Sequence, residues 1–334
     1  MARKGGAVKV VIVGGTSFVG RAIAWAMLGA GHELTVINRG VTPCDLPSSV
    51  TRLVGDRQRE LDALRGREYD LTIDVTAYRP HDVVVLADAL GGRGGHLVQI
   101  SSISAYNEPV ERGARESTLT IIDDPRVSAD APVTAATYGA LKAASERAAH
   151  ELFESVTIVR PTYVIGAHDA TLRFPYWVER MRRGGAVAVP GPKTTSLQYV
   201  DARDLADFVA GVASARRAGE FHVAGPFPAP SFFDVVHDVA RRVAPAETTI
   251  VEVEPDAVHR HGLDDRFPLW PGAHDNTLNN LDSSLAIEAG LVVRPLHESI
   301  DDVFEWWGER EFPLQWLNPD DEARLIDDRS ARVG

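Results

Sequence analysis

The 334 residues include one cysteine, Cys44, so no disulfide can close within the chain. That scarcity fits a reducing compartment. Lysine is nearly as scarce: four lysines stand against 31 arginines, a skew that points to genome composition rather than function. No stretch approaches the ~20 apolar residues that span a bilayer. The apolar run Val10 to Val13, after the basic start Met1–Lys9, is too short for a signal-peptide core and is broken by Gly14-Gly15. A cytoplasmic protein is expected. Positive charge is also in deficit. A formal net charge of −12 repels phosphate backbones and anionic lipid, so neither nucleic acid nor membrane is expected as a partner. His259-Arg-His261 and His168-Asp169 form no complete ligand set, and no metal is expected. There is no internal repeat and no low-complexity run.

What remains has a β-α-β rhythm. Val8–Val13 is an apolar-rich run closed by glycines, and Phe18–Leu28 follows as a helix. Strands are expected at Leu34–Ile37, Arg52–Val54, Leu71–Val75, His96–Ile100 and Val156–Val159, with helices at His81–Leu90 and Ala135–Phe153. This alternation argues for an α/β fold with a doubly wound parallel sheet of the Rossmann kind, covered on both faces. After Pro161 the pattern loosens, while Leu197–Ala213 and Phe221–Ala224 look like returns to the sheet. The expected organisation is a Rossmann domain over residues 1–166, with returns at about 196–225. A smaller C-terminal substrate lobe is assembled from 167–195 and 226–334.

Gly14-Gly15-Thr16-Ser17-Phe18-Val19-Gly20 joins the first strand to the first helix. Glycine permits a tight turn and lets backbone N–H groups approach a pyrophosphate, and Gly20 permits close packing of helix on strand. Gly14, Thr16, Ser17, Phe18, Val19 and Gly20 are therefore the expected cofactor loop, although Ser17 stands where a G-x-x-G-x-x-G spacing has its middle glycine. The second strand ends in Asn38-Arg39-Gly40, with no carboxylate to take a ribose 2′-OH. Arg39 can pair with a 2′-phosphate, so NADP(H) is preferred and NAD(H) possible. The plainer alternative is a surface arginine. Asp56, at the end of the third strand, can accept from the adenine amino group, and Thr76 and Ala77 should line the cleft after the fourth.

Tyr138-Gly-Ala-Leu-Lys142 places a phenol and an ammonium on one helical face. An ammonium there favours the tyrosinate and holds a ribose, so Tyr138 can exchange a proton with a substrate oxygen. Chance supplies only about 0.08 such pairs in a chain of this composition. Ser101, Ser102 and Ser104 follow the fifth strand, where hydroxyls face the ligand crevice of an α/β sheet and can donate to a carbonyl or alkoxide oxygen.

Together with Arg160-Pro161-Thr162-Tyr163-Val164-Ile165-Gly166, Gln198-Tyr199-Val200 and Arg203-Asp204-Leu205, these motifs span most of residues 8–225. In that combination the chain resembles the extended short-chain dehydrogenase/reductase superfamily, in its NAD-dependent epimerase/dehydratase branch. The atypical members carrying Gly-Gly-Thr-x-Phe-x-Gly, often labelled isoflavone-reductase-like or chloroplast stem-loop RNA-binding-like, are the most similar. The resemblance implies that Ser102, four residues before Tyr106, is the catalytic hydroxyl beside Tyr138 and Lys142. It implies that Pro161 and Val164 pass near the nicotinamide. It also implies a homodimer in which the Tyr138 helix enters a four-helix bundle. Sugar-nucleotide dehydratases of the superfamily carry an Asp-Glu pair after the catalytic hydroxyl; Ile103-Ser104 here counts against dehydration.

In the second lobe, Tyr163, Arg173, Tyr176, Gln198 and Trp270, with Ser104, are candidate contacts for a small-molecule substrate, although such aromatics also build cores. The Asp-rich stretch Asp320–Asp328 is expected as a solvated surface helix or a mobile terminus. The expected activity is NADP-dependent reduction of a ketone, or oxidation of a secondary alcohol, on a sugar-like or cyclic molecule. The alternatives are an epimerase with tightly bound nicotinamide acting on a sugar nucleotide, and an RNA-binding or regulatory protein on the same fold.

Overall fold

A computed structural model describes residues 7–108, 110–273 and 277–333, with side chains to residue 328. Most of the basic start Met1–Lys9 therefore lies outside the described residues. The central sheet has seven parallel strands: β1 (Lys9–Val13), β2 (Glu33–Asn38), β3 (Thr51–Val54), β4 (Leu71–Asp74), β5 (His96–Ile100), β6 (Val156–Pro161) and, later in the chain, β10 (Gly219–Val223). Their order is β3-β2-β1-β4-β5-β6-β10. The chain winds outward in both directions from β1, and the strand order reverses between β1 and β4. Strands β4, β5 and β6 are buried along their whole length, as expected of a parallel sheet covered on both faces.

Helices α1 (Phe18–Gly29) and α5 (Ala202–Ser214) cover one face, where Ile23, Ala24 and Met27 pack with Leu205 and Val209. Helices α2 (Pro80–Leu90) and α3 (Tyr138–Leu152) pack together on the other. Helix α2 begins at Pro80, whose missing N–H is no loss in a first turn. The Asp82 carboxylate accepts the N–H groups of Tyr78 and Arg79 at 2.9 and 3.0 Å, which fixes Tyr78 at the exit of β4. Helix α3 starts three residues later than the apolar pattern suggests. Ala143 and Ala148 of this helix lie in the protomer's interior.

A second core gathers around α4 (Arg173–Arg183), β8 (Ala186–Pro190), α6 (Phe232–Val243) and β11 (Thr249–Val253), with β8 and β11 paired in a small parallel sheet. A two-stranded link, β7 (Tyr163–Ile165) with β9 (Tyr199–Asp201), joins this part to the main sheet. Helices α7 (Pro255–Arg260), α8 (Ser284–Glu288), α9 (Leu296–Trp307) and α10 (Pro319–Val333) complete the chain. The Asp-rich stretch is neither merely solvated nor loose. Leu325 of α10 is buried in this core, and Glu322 accepts from Arg180 Nε at 3.0 and 2.9 Å and from the Ala188 N–H at 3.0 Å.

One of the tight backbone approaches in the fold is at the first strand–helix turn. Gly14 has φ +89°, and a Cβ on Gly20 would lie 2.0 Å from the Gly14 carbonyl oxygen. Backbone cannot yield there as a flexible side chain can. Gly20→Ala is therefore expected to cost about 1–3 kcal/mol through overpacking, read as a lowered Tm and a weakened cofactor titration. An unchanged Tm would show that the turn opens freely.

Candidate active site

The turn after β1 opens on two cavities that share Gly14, Ser17, Thr76 and Tyr78 in their walls. They are the two ends of one cleft across the switch in strand order, where open α/β sheets bind ligands. The smaller end, about 370 Å³, is lined by Thr16, Arg39, Thr42, Asp56 and Arg57. Asn38 shapes it: its Oδ1 accepts the Gly40 N–H at 2.7 Å and its Nδ2 donates to Thr16 Oγ1 at 3.2 Å. Arg39 projects from this turn, exposed and with no ion pair among the described residues. Arg57 went unnoticed in the sequence. It is buried and spends its charge on Asp74, at 2.9 and 2.7 Å, with a further bond to Thr76 at 3.2 Å. Arg39 is thus the guanidinium left available to an anion at this end.

The larger cavity, about 900 Å³, brings together Phe18, Val19, Gly20, Ser102, Ser104, Tyr138, Lys142, Pro161, Tyr163, Val164 and Arg173. Lys142 is 2 % exposed. Its Nζ donates to the carbonyl of Ala77 at 2.8 Å and of Ile100 at 2.9 Å. Ala77 therefore serves through its backbone; its side chain lies in the core and not in the cleft wall. Burial pushes the Lys142 ammonium down to about 8, against the opposing pull of Asp74 and Glu146. Nζ also lies 4.8 Å from the centre of the Tyr78 ring and 5.9 Å from that of Tyr138. Tyr78 was another residue that sequence reasoning missed, although it directly follows the segment singled out after β4.

The Tyr138 phenol is pushed above its ordinary value by burial; the neighbouring Ser102 hydroxyl and the Arg173 guanidinium oppose that shift. The sequence reading expected Lys142 to favour the tyrosinate. In this arrangement the ammonium is turned to the two carbonyls, and desolvation dominates at the phenol. Tyr138 is consequently protonated at neutral pH. Ser102 accepts the Ser104 N–H at 3.1 Å, which orients its hydroxyl at the head of the turn that follows β5.

Three expected substrate contacts lie elsewhere. Tyr176 is 2 % exposed in the second core, edge-on to Trp177; on the buried face of the amphipathic helix α4 its ring packs inward. Gln198 is fully buried and clamps the Leu281 backbone, donating to its carbonyl at 2.8 Å and accepting its N–H at 2.9 Å. Trp270 packs on Phe267, donates to the Gly191 carbonyl at 3.1 Å and borders a separate surface depression. In their place the cavity wall takes Asn107, Glu108, Ile122, Asp124, Leu278 and Asn279 from irregular segments that carry no periodic signal.

A glycine cradle that a Cβ would fill, a helix N-terminus behind it and an available arginine at the far end suit a dinucleotide. A hydroxyl, a phenol and a buried ammonium then converge at the near end. These groups share one cleft at the switch point of the Rossmann-type sheet. Residues 66–224 match the model of the NAD dependent epimerase/dehydratase family. A relative of known description is the chloroplast stem-loop binding protein of 41 kDa b from Arabidopsis thaliana, 22% identical over 236 residues, which are 65% of this chain and 58% of the relative. The chain thus spans less than two thirds of that protein's length. Among solved structures, UDP-N-acetylglucosamine 4-epimerase from Bacillus cereus superposes with a TM-score of 0.66 at 14% identity, covering 90% of this chain and 100% of the other. The enzyme WbmH of Bordetella bronchiseptica, solved with NAD+, gives 0.65 at 18% identity, covering 90% and 99%. These likenesses establish the fold. Among the described residues no helix is long and apolar enough to cross a membrane.

Proposed function

We propose that the protein is an NADP(H)-dependent oxidoreductase that interconverts a ketone and a secondary alcohol on a small polar molecule, with Tyr138 as the proton donor. The observation that carries this reading is the convergence of Tyr138, Ser102 and Lys142 on the cavity that continues from the glycine loop. In this assignment the Rossmann part, 1–166 with the returns near 196–225, holds the dinucleotide, and segments 167–195 and 226–334 hold the substrate. The dinucleotide supplies or accepts hydride. Gly14, Ser17, Phe18, Val19 and Gly20 would cradle its pyrophosphate. Thr16, Asp56 and Arg39 would meet the adenosine half, and Pro161 and Val164 the nicotinamide half. The chain's own part is to hold the substrate oxygen between the Ser102 and Tyr138 hydroxyls and to move a proton at the phenol oxygen. A protonated phenol near neutral pH favours donation to a ketone. The reverse reaction requires the tyrosinate, so alcohol oxidation should accelerate as pH rises.

The epimerase reading draws on the UDP-sugar enzymes among the structural relatives. It meets a charge difficulty here. Among the described residues lining the large cavity, the charged side chains are Glu108, Asp124, Lys142 and Arg173. With Lys142 committed to two carbonyls, Arg173 stands alone against two carboxylates, a poor setting for a nucleoside diphosphate and a fitting one for a neutral or singly charged ring. The name of the plant relative favours RNA, whereas the net charge of −12 opposes it.

The family's dimer is part of the proposal. Val84 of α2 and Leu152 of α3, 38% and 46% exposed, offer apolar surface on the paired helices. Light scattering at micromolar concentration should give twice the chain mass; a monomer mass would remove this element.

Tyr138→Phe should retain the fold and NADPH binding while turnover falls about 10²–10⁴-fold. A screen of cyclitols, sugars and aromatic ketones with NADPH supplies the substrate. Equal turnover in variant and wild type would refute the assignment.

NADPH should bind at least about tenfold more tightly than NADH, because each charge-assisted bond to a guanidinium is worth roughly 1.5–3 kcal/mol. Arg39→Ala should abolish most of that preference and leave NADH affinity nearly unchanged. Paired titrations of both cofactors against both proteins measure it, and a preference untouched by the substitution would exclude Arg39.

A further inference from the structure

Helix α3 carries a third group on the face that holds Tyr138 and Lys142. Glu146 follows Lys142 by one turn, as Lys142 follows Tyr138. It is 1 % exposed. Its carboxylate accepts the Ser101 hydroxyl in a very short hydrogen bond. It also takes Arg160 of β6 in a forked pair, Nε at 3.0 Å and Nη2 at 2.6 Å. Arg160 is equally buried. It donates further to Glu220 at 2.6 Å and to the Tyr106 hydroxyl at 3.1 Å. Tyr106 closes the short turn Ile103–Ala105 that Ser102 opens. The network therefore grips the segment carrying Ser102 at both ends, through Ser101 before it and Tyr106 after it. Ser101 and Tyr106 line the cavity, whereas Glu146 and Arg160 do not.

We propose that Glu146 is a positioning residue of this site, which holds the Ser101–Tyr106 segment in register with α3, so that Ser102 meets Tyr138, and presents its carboxylate to Lys142 from the adjoining turn. The proposal rests on the hydride-transfer reading for its kinetic arm only. The groups that face Lys142 are Tyr78 after β4, Asp74 at the end of β4, Arg57 after β3, Asp82 of α2, and Tyr138 and Glu146 of α3 itself. Of these, Asp74 is already paired with Arg57. Those that face Glu146 are Ser101, Arg160 and, through Arg160, Glu220 and Tyr106. Neutralising Glu146 withdraws one of the three carboxylates, with Asp74 and Asp82, that support the Lys142 charge and leaves the Arg160 guanidinium nearby. The Lys142 ammonium should then deprotonate at lower pH.

The test uses the full-length protein carrying 13Cε-lysine. With only four lysines, Lys142 is one resonance among few, assigned with Lys142→Met. In Glu146→Gln its titration midpoint should move down from the wild-type value, which the structure places at about 8. With the ketone found in the substrate screen, kcat should fall about 10²-fold, the scale of an ångström-level misplacement, with KM within about threefold. A buried charge stripped of its partner also destabilises, so Glu146→Leu/Arg160→Leu removes both charges together. That double variant should recover Tm relative to Glu146→Leu alone, yet recover neither the kcat nor the wild-type Lys142 midpoint. Recovery of all three would reduce Glu146 to a structural role and overturn the proposal, as would an unmoved midpoint in Glu146→Gln. The titration needs no substrate, so its failure is distinct from failure of the hydride-transfer reading.

Discussion

The site depends on one ammonium taken out of water. Burying an unpaired lysine is prohibitive, and Lys142 is tolerated because two backbone carbonyls, at Ala77 and Ile100, turn toward it. Those carbonyls stand at the exits of β4 and β5, adjacent strands of the sheet. One side chain thereby rivets the long helix α3 to the sheet edge where the cleft opens. Tyr138, one turn earlier, is carried to the cavity by that rivet. Tyr78 is held above it from α2, by the Asp82 carboxylate that caps the helix. Replacing the lysine would release both carbonyls and the helix together, so its geometric and electrostatic parts cannot be separated by simple deletion.

The cavity borders the sheet core through Ile100 and Val164. Its floor is the sheet edge, and its far wall is made by loops and by Arg173 at the start of α4. Residues that looked suited to bind substrate instead secure this wall. Gln198 pins the Leu281 backbone, which places Leu278 and Asn279 at the opening. A buried amide with both ends satisfied is worth keeping for that purpose alone, because removing it strands a buried N–H and carbonyl.

The Rossmann half was legible because its signals are local. Apolar runs closed by glycine mark the strands, and the Tyr-x-x-x-Lys spacing needs only helical periodicity to bring two groups together. The turn residues Gly14, Gly20 and Arg39 could be placed for the same reason. What escaped was decided by tertiary packing. Nothing in Arg57 as a letter distinguishes a buried partner of Asp74 from a surface arginine. Tyr176 and Trp270 look like ring-binding aromatics, but a small lobe needs its aromatics for its own interior. The effect on Tyr138 was misjudged because spacing places Lys142 nearby without saying where its ammonium points. The Glu146–Arg160 pair was equally hidden, since it joins a helix to the following strand across the sheet edge.

The clasp between Arg180 and Glu322 bears on how the molecule is made. The second core closes only when α10 lays Leu325 and Glu322 against α4 and β8, which are translated some 140 residues earlier. On the ribosome, the strands that surround the glycine loop emerge first and β10 joins them by residue 223. Through that interval Trp177 lacks Phe232 and Phe267, and Arg180 lacks Glu322. The nascent chain thus passes through a stage with a nearly complete seven-stranded sheet and an open, sticky second core. Chaperone dependence and ribosome-bound aggregation should concentrate in that window of synthesis.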